Sequence, residues 1–282
     1  MCDACGCNRE EPFAVHTDGR ESGDAGGHPG HVHVHRDARG HARVHTHGPG
    51  DDGGGNPRNV DVNRSVLEAN DRLAEQNRGF FRAKNVRVMN LVSSPGAGKT
   101  ALLERTLAEF GDRARMGVIV GDLATENDAR RLRGRGAEVV QVNTGSLCHL
   151  DARMVMTALE AVDLDGMDLL FIENVGNLVC PSSFDLGEQL RVVLLSVPEG
   201  EDKPLKYPPV FKGADLVLLT KTDLVEAVGF DRECGVDNIR RIAPQARILE
   251  VSSRTGAGLE AWYRYLEEQG KAVEPHSAAR AH

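Results

Sequence analysis

The feature that most constrains this chain is a glycine-rich loop set between an apolar run and an amphipathic stretch. Residues 93–100 read Ser-Ser-Pro-Gly-Ala-Gly-Lys-Thr. Residues 86–92 before them have β-type apolar character, and residues 100–110 after them have helical spacing. Strand, loop and helix in this order match the phosphate-binding pattern G-x-x-x-x-G-K-[ST], with Ser93 in place of the first glycine. We therefore expect a sheet with a phosphate site at the end of one strand.

The residue types in this loop have chemical reasons. Gly96 and Gly98 let backbone N–H groups surround phosphates, and the following helix adds its positive N-terminus. Lys99 can reach the β and γ oxygens, and Thr100 can ligate Mg²⁺. An ordinary glycine-rich turn is the alternative, but it does not account for the flanking strand and helix. The predicted nucleotide contacts here are Ser94, Pro95, Gly96, Ala97, Gly98, Lys99, Thr100 and Ala101.

Strands and helices alternate along the rest of the chain. Predicted strands cover residues 86–92, 116–120, 138–142, 169–173, 191–197, 216–220 and 247–251. Predicted helices cover residues 100–110, 126–133, 152–162, 234–242 and 259–269, after a first helix that starts near Val62 and ends near Gly79. The apolar residues of this first helix, Val62, Val66, Ala69 and Leu73, are spaced for one helical face, and we expect that helix to lie against the domain. This alternation predicts a mainly parallel β-sheet flanked by helices. Together with the phosphate loop it predicts an α/β P-loop NTPase fold. Ligands should lie at the carboxyl ends of the strands.

Composition divides the chain near Pro57. Residues 1–57 hold 12 of the 31 Gly, eight of the 11 His and three of the six Cys, with few large apolar side chains. Such a segment cannot offset the entropy lost on ordering. We predict a disordered Cys/His-rich metal-binding arm over 1–57 and one P-loop domain over 58–282.

Charge and hydropathy exclude some classes of partner. The net charge is −8 and no basic block is present, which argues against nucleic acid. No run approaches the roughly 18 apolar residues of a membrane span, and no signal peptide is evident at the start. A cytoplasmic protein without a membrane span is expected.

A second loop indicates which base is bound. Residues 220–223 read Thr-Lys-Thr-Asp after an apolar run and resemble the guanine-reading N-K-x-D. The carboxylate can accept from two N–H groups of guanine at about 1.5–3 kcal/mol each, and adenine lacks those donors. GTP is therefore favoured, although a helix-capping aspartate after a buried strand is the alternative. The predicted base contacts are Thr220, Lys221, Asp223, Ser252 and Ser253.

Two acidic segments follow apolar strands between these loops. Asp122 and Glu173 can hold Mg²⁺ or its waters together with Thr100, and Gly176 can present its backbone N–H to the γ-phosphate. We interpret the segments as nucleotide switches, with Lys99, Asp122 and Glu173 as the catalytic group. Simple helix N-caps are the alternative for both acidic residues.

The arm carries two kinds of metal ligand. Cys2, Cys5 and Cys7 lie within six positions, and three thiolates with an amine or a histidine suit Zn²⁺ or Ni²⁺. His31, His33 and His35 alternate along an extended chain and suit weak storage of divalent ions. An unliganded tail and a solvated histidine tract are the alternatives.

A third group of soft and borderline ligands lies inside the domain. Cys148 and His149 are adjacent, and Cys180 follows the second acidic segment. Their distance along the chain does not establish that they meet. A buried cysteine is more often part of the core, so core packing weighs equally with a metal site.

The chain resembles the hydrogenase maturation GTPases (hydrogenase nickel-incorporation protein B), which are related to the urease accessory GTPase. The resemblance covers about residues 59–270 and rests on the motifs at 94–100, 121–123, 148–151, 173–181, 199–208 and 220–223. It implies that Cys148, His149 and Cys180 form a Ni/Zn site coupled to the nucleotide state. It also implies a GTP-promoted homodimer in which Lys203 or Lys206 approaches the γ-phosphate. The partners it implies are a companion nickel-binding hydrogenase accessory protein and the hydrogenase large-subunit precursor.

The motifs, taken with what this resemblance implies, predict a GTP-hydrolysing metallochaperone that couples hydrolysis to nickel insertion into the hydrogenase precursor. The expected ligands are GTP, Mg²⁺, Ni²⁺ and Zn²⁺. A nickel/zinc storage and buffering protein remains an alternative because of the arm. A nickel-delivery GTPase for another client, such as urease, is the second alternative.

Overall fold

The computed structural model describes residues 32–36, 42–46, 60–122, 127–145 and 147–271. It divides into two units, residues 1–62 and residues 63–282. In the first unit, strands β1 (Val32–Arg36), β2 (Ala42–Thr46) and β3 (Val60–Asp61) form an antiparallel sheet in the order β1-β2-β3. Cys2, Cys5, Cys7 and His31 lie outside the described residues.

Strands β1 and β2 lie within residues 1–57, for which the sequence predicts a disordered metal-binding arm, and that assignment stays a prediction. The register pairs His33 with His45 and Val34 with Val44. Valine and histidine alternate in this stretch, and that period of two is the pattern of a strand. A second strand nearby then provides the backbone partners that an isolated strand lacks.

The second unit is built on a seven-stranded sheet in which every pairing is parallel. In chain order its strands are β4 (Arg87–Ser93), β5 (Met116–Asp122), β6 (Glu138–Asn143), β7 (Leu169–Glu173), β8 (Leu190–Ser196), β9 (Leu216–Thr220) and β10 (Arg247–Val251). The order across the sheet is β10-β9-β8-β4-β7-β5-β6. Most of these strands are buried along their length, as expected for a sheet covered on both faces. The predicted fold class is confirmed.

Helices cover the sheet. They are α1 (Val62–Lys84), α2 (Lys99–Phe110), α3 (Asn127–Leu132), α4 (Ala152–Leu159), α5 (Lys203–Lys206), α6 (Pro208–Lys212), α7 (Val225–Val228), α8 (Arg232–Ile242) and α9 (Leu259–Lys271). The short helices α5, α6 and α7 were not predicted because one turn is too short to show a helical period. Within the described ranges, no helix is long and apolar enough to cross a membrane.

The core is divided among the two faces of the sheet. Trp262 and Phe110 pack with Phe171 in the cluster that α2 and α9 form with the sheet. Phe81 of α1 packs in a second cluster together with residues of α4 and β7. These clusters pack the sheet into a rigid scaffold. The loops that follow its strands are therefore the places where ligands can bind.

Helix α1 differs from its prediction at its C-terminal end. It continues past Gly79 and ends at Lys84, where Asn85 adopts a left-handed backbone with φ of 57°. Gly79 is exposed and a Cβ there would meet nothing, so this glycine does not end the helix. Phe81 is fully buried, and its burial favours the extra turn.

The buried face of α1 is also different from the predicted one. The apolar spacing indicated a face through Val62, Val66, Ala69 and Leu73, but Val66 is 50% exposed. The residues that are buried instead are Asn70, Ala74, Asn77 and Phe81. Two of these are polar, and for that reason an apolar periodicity could not reveal them. The expectation that α1 lies against the domain is correct.

Candidate functional site

A cavity of about 540 Å³ opens at the carboxyl ends of the central strands. The loop between β4 and α2 forms one wall, with Gly96 at φ 74° and Gly98 at φ 103°. Residues with a side chain rarely adopt such positive φ angles, so the loop needs glycine at both positions. The cavity is lined by Pro95, Gly96, Gly98, Lys99, Thr100, Ala101, Asp122, Asp128, Arg131, Glu173, Val175, Gly176 and Lys221.

Ser93, the departure from the usual motif, has a clear role in this loop. Its hydroxyl accepts a hydrogen bond from Lys99 Nζ at 2.9 Å and donates to the carbonyl of Ser94 at 2.7 Å. Ser93 is fully buried and Lys99 is nearly so. Burial lowers the pKa of Lys99. The hydroxyl therefore gives the buried ammonium a polar partner, which a glycine at this position would not provide.

Thr100 and Glu173 form the oxygen-rich part of the cavity. Thr100 Oγ1 donates to Glu173 Oε1 at 2.7 Å, whereas Glu173 Oε2 is buried without a hydrogen-bond partner. Burial raises the pKa of Glu173 to about 7, although the positive charge of Lys99 acts in the opposite direction. A buried carboxylate oxygen without a donor, next to a hydroxyl, fits a site for Mg²⁺, which prefers oxygen ligands.

The two predicted switch segments reach the cavity from neighbouring strands. Asp122 ends β5, and Glu173 ends β7, which pairs with β5. A Cβ at Gly176 would lie 2.9 Å from Pro95 Cα, so the backbone at Gly176 packs directly on the phosphate loop. Residues 123–126, in the first switch, lie outside the described residues.

The predicted base loop follows β9 and is attached to the phosphate loop. Thr220 Oγ1 donates to the carbonyl oxygen of Ala97 at 2.7 Å. Lys221 has a left-handed backbone with φ of 58° and lines the cavity. Thr220 lacks the amide of the common motif, but its hydroxyl holds the two loops together.

Asp223 is held by the loop after β10. Its Oδ1 accepts from Ser252 Oγ at 2.6 Å, and its Oδ2 lies 3.7 Å from an Arg254 guanidinium nitrogen. The Asp223 side chain is 14% exposed. Ser253 accepts a hydrogen bond from Arg105 through its carbonyl oxygen. A fixed carboxylate that keeps free lone pairs can receive two N–H groups from a base.

Some residues near this cavity were not predicted. Arg254 lies in the loop of Ser252 and Ser253 but was not among the predicted contacts, because its partner Asp223 is distant in sequence. Asp128 and Arg131 line the cavity from α3, where a helix of six residues gave no sign of which side faces a ligand. An acidic or basic residue on a short helix is normally read as a solvated position.

Cys148, His149 and Cys180 meet in the structure, and their potential ligand atoms all lie within 4.8 Å of one another. Cys148 and His149 come from the loop between β6 and α4, and Cys180 begins a 3-10 helix, Cys180–Ser183. The two sulfur atoms are 2.8 Å apart. All three residues are half-buried, which disfavours the core-packing alternative. We call these residues the ligand cluster.

The environment of His149 suits a metal ligand. Its ring stacks on Phe184 with centroids 3.9 Å apart, and Nδ1 is buried without a hydrogen-bond partner. Burial lowers the pKa of His149, against the opposing charge of Asp151. The neutral imidazole that results is the form that binds metal ions.

Lys203 and Lys206 are engaged within their own segment. Lys203 Nζ lies 3.6 Å from Glu199 Oε2 and 4.9 Å from the centre of the Tyr207 ring. Lys206 Nζ lies 2.6 Å from Asp202 Oδ2. The part of the cavity lining that the structure describes includes neither lysine. Their suggested contact with a γ-phosphate stays a prediction.

Comparisons with known proteins agree with this arrangement. A family model described as CobW/HypB/UreG, nucleotide-binding domain, matches residues 87–250. Hydrogenase maturation factor HypB of Escherichia coli strain K12 is 49% identical over 230 residues, which is 82% of this chain and 78% of that protein. The structure of HypB from Archaeoglobus fulgidus has a TM-score of 0.68 at 40% identity, covering 73% of this chain and all of that one. HypB from Helicobacter pylori, solved in complex with nickel, has a TM-score of 0.70 at 40% identity, covering 75% and 99%.

Proposed function

This chain belongs to the HypB hydrogenase maturation factors of the CobW/HypB/UreG family, and we propose on that premise that it is a cytoplasmic GTPase that delivers nickel. Hydrolysis of GTP is coupled to insertion of Ni²⁺ into the hydrogenase large-subunit precursor. One observation carries the proposal. Strand β7 ends with Glu173 in the nucleotide cavity, and the chain that leaves it brings Cys180 to the ligand cluster.

Guanine specificity is supported by the position of Asp223. Ser252 donates to one carboxylate oxygen and leaves lone pairs for the two N–H groups of guanine. Thr220 and Lys221 hold this loop beside the phosphate cavity. Adenine has no matching pair of donors, so ATP would lose two charge-assisted hydrogen bonds.

The chemistry of hydrolysis follows from charge. Thr100 and Glu173, with Asp122 nearby, would hold Mg²⁺, which when bound neutralises charge on the β and γ oxygens. Lys99 and the backbone N–H groups of residues 94–101 stabilise the leaving phosphate. The backbone N–H of Gly176 would sense the γ-phosphate, and Asp122 or a neighbour would orient the attacking water.

Nickel is the cargo in this scheme. Two thiolates and one imidazole from the ligand cluster suit square-planar Ni²⁺ or tetrahedral Zn²⁺. The relative from Helicobacter pylori was solved with nickel, which supports the same class of cargo here. Cys2, Cys5 and Cys7 would form a further site in the arm, and His31, His33 and His35 would add storage capacity.

The partners follow from family membership. We propose a companion nickel-binding hydrogenase accessory protein as the donor and the hydrogenase large-subunit precursor as the acceptor. A GTP-promoted homodimer would bring Lys203 or Lys206 of one copy toward the γ-phosphate of the other. Loss of the γ-phosphate would then be felt by the switches, and through them by the ligand cluster.

The decisive test is nickel transfer to the purified precursor. The full-length protein is loaded with Ni²⁺ and mixed with precursor in the presence of Mg²⁺ and either GTP or a non-hydrolysable analogue. We expect transfer with GTP and little with the analogue. Equal transfer with both nucleotides would show that hydrolysis does not drive delivery, and ATP as effective as GTP would contradict the assignment of the base loop.

A storage function is the second candidate, and the Cys/His-rich composition of the arm favours it. Removal of residues 1–57 distinguishes the two. A delivery GTPase should lose most of its bound nickel yet keep its GTP turnover, and added nickel should restore hydrogenase maturation. A storage protein would fail to support maturation at every nickel concentration after the same truncation.

A further inference from the structure

Four asparagines are buried in the described part of the chain: Asn70, Asn77, Asn90 and Asn174. A buried amide is costly unless its donors and acceptors are paired. All four belong to hydrogen-bond chains that end on two segments, residues 148–152 and residues 180–188. We call these the ligand turn and the ligand loop, because the first contains Cys148 and His149 and the second begins with Cys180.

Asn174 and Asn90 form the first of these hydrogen-bond chains. The backbone N–H of Leu150 donates to Asn174 Oδ1 at 3.1 Å. Asn174 Nδ2 donates to Asn90 Oδ1 at 3.3 Å, and Asn90 Nδ2 donates to Glu188 Oε1 at 3.1 Å. The ligand turn is thereby connected to the ligand loop through the inside of the sheet.

The orientation of both amides is fixed by the ends of this chain. The Leu150 N–H can only donate, and an ionised Glu188 can only accept. Asn174 Oδ1 also accepts from the N–H of Val175 at 3.0 Å. A flip of the Asn174 amide would therefore break two hydrogen bonds. A substitution that replaces one amide nitrogen by an oxygen therefore places two acceptors opposite each other.

The chain continues from Glu188 to the aromatic residue beside His149. Glu188 Oε1 accepts from Arg191 Nε at 3.1 Å and Nη2 at 2.8 Å. Arg191 Nη2 also donates to the carbonyl oxygen of Phe184 at 3.2 Å. The Phe184 ring stacks on His149. The chain therefore contacts the surroundings of His149 at two places, at Leu150, which follows it in sequence, and at Phe184.

Asn70 and Asn77 bind the same two segments from α1. Asn70 Oδ1 accepts from the N–H of Ala152 at 2.9 Å, and its Nδ2 donates to the carbonyl oxygen of Asp185 at 2.8 Å. Asn77 Nδ2 donates to the carbonyl oxygens of Ala152 at 2.9 Å and Leu186 at 3.0 Å. These bonds do not involve β4 or β7.

The difference between the two pairs lies in what each one touches at the other end. Asn174 directly follows Glu173, whose carboxylate lines the nucleotide cavity, and its backbone N–H donates to Leu91 of β4 at 3.1 Å. Strand β4 leads directly into the phosphate loop. Asn174 is therefore connected to the nucleotide cavity through the backbone of two strands. The side-chain hydrogen bonds of Asn70 instead join α1 to the ligand turn and the ligand loop.

We propose that Asn174, acting through Asn90, is the positioning residue that couples the nucleotide state to the geometry of the ligand cluster. Asn70 and Asn77 hold the ligand turn and the ligand loop in place without sensing the nucleotide. The inference rests on the proposed function, because it names the residue that transmits the coupling between GTP and nickel.

The test uses the full chain with Cys2, Cys5, Cys7 and Cys234 replaced by alanine. In this background the absorption band of thiolate-bound Ni²⁺ reports only Cys148 and Cys180, and the histidine tract contributes no such band. Nickel affinity is measured against a competing chelator with GDP bound and with a GTP analogue bound. The ratio of the two affinities is the quantity of interest, and in the unchanged site we expect it to be roughly 5-fold or more.

Asn174→Asp is the principal variant, because it keeps the shape of the side chain but places an oxygen opposite Asn90 Oδ1. We expect the affinity ratio to fall to about one while nucleotide affinity is retained. Asn70→Asp is the matched control, since it places an oxygen opposite the Asp185 carbonyl in the same network. It should weaken nickel binding in both nucleotide states and leave the ratio intact.

A second variant guards against misfolding. Asn90→Ala breaks the chain one residue further from the cavity without opposing two acceptors, and thermal unfolding shows which variants are folded. The inference is overturned if folded Asn174→Asp and Asn90→Ala keep the original ratio, or if Asn70→Asp abolishes it too. A ratio of one before any change to the asparagines would instead contradict the coupling in the proposed function itself.

Discussion

The nucleotide cavity and the ligand cluster are built in different ways. The phosphate loop is a continuous stretch of backbone between β4 and α2, with glycines that allow its left-handed turns. The ligand cluster consists of side chains 32 residues apart, from two loops that are held by buried asparagines. A site made of backbone can be recognised from a short sequence pattern, whereas a site made of side chains depends on the folded sheet.

The two regions also differ in what a single substitution can remove. Backbone N–H groups at the phosphates survive most side-chain changes, so the nucleotide cavity should depend most on its few specific side chains. In the ligand cluster each side chain supplies a whole ligand. Four predictions would sharpen or break this contrast, and they follow in order of expected size.

Asp223→Asn should have the largest effect. It replaces an acceptor by a donor and loses two charge-assisted hydrogen bonds to guanine, at about 1.5–3 kcal/mol each. GTP affinity should fall steeply, and xanthosine triphosphate, with a carbonyl in place of the amino group, should bind better. Titration with both nucleotides measures this, and unchanged GTP affinity would refute the base assignment.

Cys148→Ala should remove the thiolate–nickel absorption of the internal site while nucleotide affinity stays the same. The loss of nickel affinity should exceed the roughly 10–100-fold that follows when only an outer partner of a ligand is removed. Cys180→Ala should behave alike, because both thiolates belong to the same site. Nickel affinity that survives both substitutions would return these cysteines to a packing role.

Glu173→Gln tests the buried carboxylate through pH. The pKa of Glu173 is raised to about 7 in the folded protein, so between pH 4.5 and 7 the native state holds the proton more tightly than the unfolded chain. This contribution to stability is complete below the unfolded pKa and is lost as pH rises through 7. The glutamine variant, which cannot ionise, should therefore gain about 1–3 kcal/mol over the wild type between pH 5 and 8.

The measurement is urea unfolding of both proteins at the two pH values, without nucleotide and with a chelator for divalent ions. Glutamine retains an oxygen that can accept the hydrogen bond from Thr100 Oγ1. The difference in stability between the two proteins therefore reports the ionisation of Glu173 and not the loss of this bond. Parallel changes of stability with pH in the two proteins would contradict the raised pKa.

Thr220→Val should have the smallest effect. It removes the hydroxyl that bonds the Ala97 carbonyl and leaves that carbonyl without this donor, which costs about 1–3 kcal/mol of stability. GTP affinity should fall only slightly, because the base loop loses its attachment but keeps Asp223. Thr222→Val in the same loop is the matched control. Equal stability of the two variants would show that the link between the loops is unimportant.

The sheet was predictable because its strands are buried on both faces and appear as apolar runs. The phosphate loop was predictable because phosphate binding requires glycines, Lys99 and Thr100 at fixed spacing. The buried face of α1 was not predictable, because Asn70 and Asn77 are polar and their partners lie more than 70 residues away in sequence. The meeting of Cys148 with Cys180 also depends on how the loops after β6 and β7 are folded.

The position of β4 at the centre of the sheet has a consequence for synthesis of the protein. Its two neighbours are β7 and β8, which begin only at Leu169 and Leu190. A ribosome that adds about 5–20 residues per second therefore leaves this apolar strand without either neighbour for several seconds. During that interval the nascent chain exposes a strand that is buried in the folded core. A substitution that slows the docking of β7 should lower the yield of folded protein in the cell even where the folded molecules are fully active.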